Sequence, residues 1–165
     1  MLLTPICPFE VSGSMRAVGS GRPLSQCLGE MDGRGLLVPD LLTRGNWLLR
    51  DEISVVDDTI RFPIVFVDSA GNRHGTVHGG IIGAVVDHLA AVHLHSVEGA
   101  YQRVTASLKL SYTKPIHVGQ RVILETSLPL LGNRSAVVAF RYFSPEGGRV
   151  CVDGELLKLK IGAKL

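Results

Sequence analysis

His78-Gly79-Gly80-Ile81-Ile82-Gly83-Ala84-Val85-Val86-Asp87-His88-Leu89-Ala90-Ala91-Val92 reads as a loop turning into one long helix. Nearly every side of that helix is apolar, and such a helix is normally buried at the centre of a domain. Asp87 is the exception, because an unpaired charge is costly in apolar surroundings. Glu98-Gly99 ends the helix, with Gly99 suited to a left-handed cap. The span from Gly79 to Val97 predicts a rod of about 28 Å.

Downstream of the helix, Val104, Ala106, Leu108, Leu110 and Tyr112 alternate with Thr105, Ser107, Lys109 and Ser111, the period of a half-buried strand. Three more strands are expected over Gln120–Leu130, Arg134–Ser144 and Arg149–Lys160. Short turns join these three, which makes them antiparallel neighbours. Upstream, Ile53–Ile60 and Arg61–Asp68 read as two strand segments, with Pro63 marking an edge or a bend. A loop runs from Asp68 to Gly75, and Pro39–Arg50 is expected to form a short helix. A helix with no polar face needs a sheet curled around it. The fold expected is therefore α+β: one antiparallel sheet wrapped on one central helix, over residues 36–165, preceded by an irregular Gly- and Pro-rich arm at 1–35.

At 165 residues, 45% of them hydrophobic, the chain suits a single domain with an ample core. The net charge is +2 and its basic residues are scattered, which argues against a nucleic-acid surface. Cys7, Cys27 and Cys151 are too few and too far apart for a disulfide framework or a zinc site, and suit a reducing compartment. No apolar run is expected to reach the ~18 residues of a membrane span. The N-terminus is a poor secretory signal. The expected location is cytoplasmic, with a mitochondrial address as the alternative.

At about 100° per residue, Asp87 shares its side of the helix with Gly80, Gly83, Ala84 and Leu94, with Ala90 and Ala91 nearby. A carboxylate among such small residues points into a narrow gap, where a ligand, strand amides or a second subunit can approach. Gly79 and Gly80 leave the first N–H groups of the helix unobstructed, and these are donors of the kind an oxyanion needs. His88, His93 and His95 do not form a metal set, because His93 is about 140° around the helix from His88 and no Cys or carboxylate joins them. They are expected to be interface or packing histidines. His74, in the loop before the helix, is a candidate ligand contact.

Asn72-x5-His78-Gly79-Gly80-x6-Asp87, a long apolar helix, then Val104-Thr105 opening a strand that ends Tyr112-Thr113-Lys114-Pro115, resembles the hotdog-fold acyl-CoA thioesterases over roughly residues 53–160. The likeness is to the branch with the phenylacetate-pathway thioesterase and the small thioesterase-superfamily proteins. This resemblance implies that the backbone N–H of Gly79 polarises the thioester carbonyl. It implies that Asp87 of a neighbouring subunit is the general base or nucleophile. The residue matching Thr105, more often a Ser, would hold the water with Asp87. Asn72 would hydrogen-bond near the reacting centre, and His78 would shape the loop. Coenzyme A would run past Gly80, Tyr112, Thr113, Lys114, Pro115 and the hairpin Gly132-Asn133-Arg134-Ser135. Lys114, Arg134 and Arg103 would be available to its phosphates.

The function expected is hydrolysis of an acyl-CoA thioester, a step of lipid metabolism, by a homodimer or homotetramer with its sites at the subunit interface. No metal or other cofactor is called for, since coenzyme A is part of the substrate. The alternatives are a non-catalytic acyl-CoA-binding regulator and a hotdog hydratase or dehydratase.

Overall fold

The computed structural model describes residues 23–32, 40–42 and 45–162. Helix α1 (Leu24–Asp32) comes first, followed by strands β1 (Ser54–Val56) and β2 (Thr59–Val65). The central helix α2 (Gly79–Glu98) precedes β3 (Arg103–Tyr112), β4 (Arg121–Leu131), β5 (Ser135–Phe143) and β6 (Val150–Lys160). The strands form one antiparallel sheet in the order β1-β2-β4-β5-β6-β3. The α+β architecture expected from the sequence is the one observed. Gly99 caps α2 with φ 75°, and its N–H donates to the His95 carbonyl at 2.8 Å.

Alternation explains the inner face. Ala136, Val138, Phe140 and Tyr142 of β5 and Val122 and Leu124 of β4 meet Val85, Val86, Leu89 and Val92 of α2 in one buried cluster. Burying each large aliphatic or aromatic side chain stabilises by about 1.5–3 kcal/mol. Contrary to the sequence expectation, α2 is long and apolar enough to cross a membrane by composition alone. Its inward faces are instead covered by the sheet and α1, the ordinary position of a core helix.

Two upstream expectations are corrected. The arm assigned to residues 1–35 contains α1, whose Leu24, Cys27 and Leu28 are buried in the common core. Their i, i+3, i+4 spacing is the helical signal that the flanking glycines obscured. Residues 1–22 and 33–35 of the arm, Cys7 among them, lie outside the described residues. The helix expected over Pro39–Arg50 is helical at 40–42, but Trp47 and Leu48 are extended. The Trp47 carbonyl accepts from Val65 N–H at 2.8 Å, and Leu48 forms a bridge with Ile64. These pairings to β2 outweigh a helix already weakened by Gly45.

Pro63 lies in β2 between two neighbours, not on an edge. Its carbonyl accepts from Leu49 N–H at 3.0 Å, so its nitrogen also faces that segment, and no bond to β4 is lost. The sheet edges are β1 and β3. At its middle β3 lies unusually close to β6, because a Cβ on Gly154 would stand 1.9 Å from the Lys109 carbonyl oxygen. Only glycine permits that approach.

Candidate active site

The loop before α2 is tied down at several points. Asn72 Oδ1 accepts from the N–H of His74 at 2.8 Å and of Thr76 at 3.3 Å, while its Nδ2 donates to Thr76 Oγ1 at 2.8 Å. Val77 N–H bonds the Ile116 carbonyl and His78 N–H the Ala70 carbonyl, at 2.8 and 2.9 Å. Asn72 is thus half-buried and braces the turn. His78 is the N-cap of α2, and its Nδ1 accepts from Gly80 N–H at 3.2 Å. The expectation that both glycine amides stand open is therefore corrected. Gly80 N–H is taken by His78, and Gly79 N–H has no acceptor among the described residues.

Gly79 opens onto a cleft of ≈ 260 Å³ whose walls include Ile82, Tyr112, Lys114, Pro115 and Ile116. The structure therefore brings the helix start together with the end of β3. A Cβ on Gly79 would lie 3.0 Å from the Tyr112 hydroxyl. Thr113 turns its hydroxyl back to the carbonyls of Val150 and Cys151, at 3.1 and 3.0 Å, and so fixes the strand end. Lys114 and Pro115 are exposed.

Asp87 is not the unpaired buried charge anticipated. Its side chain is 44% exposed, and Lys158 Nζ on β6 lies 2.6 Å from Oδ1. The Thr105 hydroxyl also donates to Oδ1. Lys158 Nζ donates further to Thr105 Oγ1 at 2.6 Å and to the Asp87 backbone carbonyl at 3.2 Å. Thr105 and Lys158 are register partners across β3 and β6, which is why the two side chains meet. Lys158 escaped the sequence reading, although a signal existed: it shares strand parity with buried Val152 and Leu156 and so points inward. The small-residue side of α2 packs on β3, where a Cβ at Gly83 would stand 3.2 Å from Leu110 Cδ1.

The remaining candidates sit at the other end of the sheet. Ser135 pairs with Leu159, next to the Arg103–Lys160 pair, so the hairpin Gly132-Asn133-Arg134-Ser135 flanks the start of β3. Tyr112 is at the far end of the strand, roughly 30 Å away at about 3.3 Å per residue. One chain therefore carries two separate groups: the helix start with Tyr112–Pro115, and Asp87 with Thr105, Lys158 and the hairpin. Arg103 is withdrawn as a phosphate contact. It bonds both oxygens of Glu98, at 2.8 and 2.7 Å, and the Gly132 carbonyl at 2.7 Å, and its side chain is 4% exposed.

Two of the helix histidines, His93 and His95, serve packing. His93 is buried, with Nδ1 2.9 Å from Thr126 Oγ1, and burial lowers its pKa from 6.5 to about 4. His95 Nε2 lies 3.1 Å from Glu30 of α1, and its ring stacks on Tyr101 with centroids 3.8 Å apart. Exposed His74 lies beside Arg73.

A long helix wrapped by one antiparallel sheet is the hotdog fold. Residues 74–151 match the family model of the thioesterase superfamily. Among individual proteins, the chain is 22% identical over 87 residues to mouse acyl-coenzyme A thioesterase 13, which is 53% of this chain and 62% of that protein. The match thus spans less than two thirds of that curated relative. Zebra fish thioesterase superfamily member 2 superposes with a TM-score of 0.69 at 18% identity, covering 84% of this chain and 96% of that one. A hypothetical thioesterase from Streptococcus pneumoniae, solved with coenzyme A, gives 0.60 at 19% identity over 67% and 88% of the two chains.

Proposed function

We propose that this protein hydrolyses acyl-coenzyme A thioesters to the free acid and coenzyme A. The observation that carries this reading is the open Gly79 N–H at the mouth of the Tyr112–Pro115 cleft. A backbone donor aimed from a helix start suits the oxyanion of a tetrahedral intermediate. Water would attack the thioester carbon while Asp87 takes its proton. The carbon–sulfur bond then breaks, and the proton leaves on the coenzyme A thiol.

The spacing within one chain supports a site completed by a second copy. Gly79 and Asp87 are eight residues apart on α2, about 12 Å along the axis. A two-fold partner whose edge strand runs antiparallel to β3 would set Asp87 and Thr105 of one copy opposite Gly79 and Tyr112 of the other. Edge strand β3 has Val104 and Tyr112 exposed at 52% and 53%, which suits such pairing. In this arrangement the hairpin Gly132-Asn133-Arg134-Ser135 and Lys114 lie near one another and can meet the phosphates of coenzyme A. Asn72 and His78 support the Gly79 end through the loop.

The test is thiol release from a panel of acyl-CoAs by wild type and Asp87→Asn. Substitution should lower kcat about 100-fold or more. Hydrolysis that survives unchanged sinks the role of Asp87. Tight binding of CoA esters with no turnover by wild type would favour the regulatory reading, and addition of water to an enoyl-CoA would favour the hydratase.

A further inference from the structure

We infer that Lys158 is a positioning residue of this reaction: it locks Asp87 and Thr105 into one unit and leaves Asp87 Oδ2 as the proton acceptor. The inference rests on the proposed role of Asp87. An ammonium has three hydrogens, and Nζ of Lys158 finds three acceptors: Asp87 Oδ1 at 2.6 Å, Thr105 Oγ1 at 2.6 Å and the Asp87 carbonyl at 3.2 Å. With its side chain only 3% exposed, Lys158 depends on these partners, because a buried ammonium is tolerated only when paired.

The proton inventory then assigns the roles. Thr105 accepts from Lys158 and donates its single hydrogen to Asp87 Oδ1, so it has no hydrogen left to give a water. It can only accept one from it. Oδ1 already takes two donors, while Oδ2 takes none from the described residues. The pair is also asymmetric. Its cation is enclosed, whereas its carboxylate side chain is 44% exposed and so open to water. The β3–β6 register shifts immediately after Thr105, between Thr105 and Ser107. A bulge at that position re-aims side chains locally. For stability alone an apolar side chain would serve as well in place of Lys158, since replacing a buried charge by a well-packed hydrophobe is often neutral or better.

The test compares wild type, Lys158→Met, Thr105→Val and the double variant, with Asp87→Asn alongside, on an acyl-CoA that wild type turns over. Lys158→Met should fold with Tm near that of wild type, lower kcat about 100-fold through misplacement of Asp87, and leave KM within about 3-fold. The double variant should be little worse than the worse single one, because the residues act as a unit. Wild-type kcat in Lys158→Met beside an inactive Asp87→Asn overturns the inference and spares the proposed function. An active Asp87→Asn overturns the proposed base itself. Independently of turnover, Asp87→Asn and Lys158→Met should shift Tm non-additively, and additive shifts overturn the pairing.

Discussion

The Tyr112 hydroxyl donates to the Gly79 carbonyl at 2.9 Å and so clamps the end of β3 to the first turn of α2. The bond joins the strand carrying Thr105 to the helix carrying Asp87, at the mouth of the cleft. A side chain at Gly79 would crowd Tyr112 on that side. In Gly79→Ala the new methyl pushes the Tyr112 ring, whose hydroxyl, Cζ and Cε1 would lie at 3.0, 3.2 and 3.4 Å, by a few tenths of an ångström. We expect kcat/KM for thioester hydrolysis to fall at least about 10-fold. Tyr112→Phe, lacking the bond, should cost about 0.5–1.5 kcal/mol in urea unfolding.

Stability should depend on pH through His93. Burial holds its folded-state pKa at about 4 against an ordinary 6.5. The unfolded chain therefore takes up this proton first as pH falls. The stability contributed by neutral His93 is full above about pH 6.5 and is lost progressively down to about pH 4. The loss amounts to about 3 kcal/mol at most. The His93 Nε2 has no partner among the described residues, so the charged ring would bury an unpaired N–H. Chemical unfolding at about pH 7.5 and about pH 4.5 measures the slope. The double variant His93→Leu, Thr126→Val removes both partners and should flatten it. An unchanged slope would assign the effect to other groups.

Gly154→Ala should be among the most damaging single changes. Its Cβ would lie 1.9 Å from a backbone oxygen of β3 and 2.8 Å from Phe140 Cζ, so β3 must move off β6. A loss of more than about 3 kcal/mol is expected. Thr105 rides on the displaced strand, so residual folded protein should also be inactive. A Tm within a degree or two of wild type would contradict the observed register.

Helix α1 should behave as part of the domain. Leu24 and Leu28 are buried at 3% and 6% exposure, so Leu28→Ala should cost about 2–3 kcal/mol. Glu30→Gln weakens the part-exposed contact to His95 and alters the carboxylate that accepts from Gln26 Nε2 at 3.2 Å, and it should cost less than about 1 kcal/mol. Differential scanning calorimetry should show one transition for both variants. A separate low-temperature transition for α1 would refute its place in the core.

Much of the fold was legible because it rests on local signals. The apolar run after His78-Gly79-Gly80, the Gly99 cap and the alternation of β3 each reflect a backbone period or a left-handed turn, and neighbouring residues settle these. Helix α1 was hidden because its short i, i+3, i+4 stripe sits among glycines and prolines. The expected helix through Trp47 and Leu48 failed because strand β2 offered their backbone better partners.

The sequence by itself determined a buried helix, strands to wrap it, a glycine at the helix start and a carboxylate two turns along. Only the tertiary structure decided what that carboxylate meets. Lys158 is 71 residues away in the chain and reaches Asp87 because β6 pairs with β3 in a register that sets it opposite Thr105. Strand order and register depend on packing over the whole sheet, and no local period encodes them. The same geometry parts Gly79 from Asp87 along a rigid helix, a separation that spacing implied but only the folded sheet made meaningful.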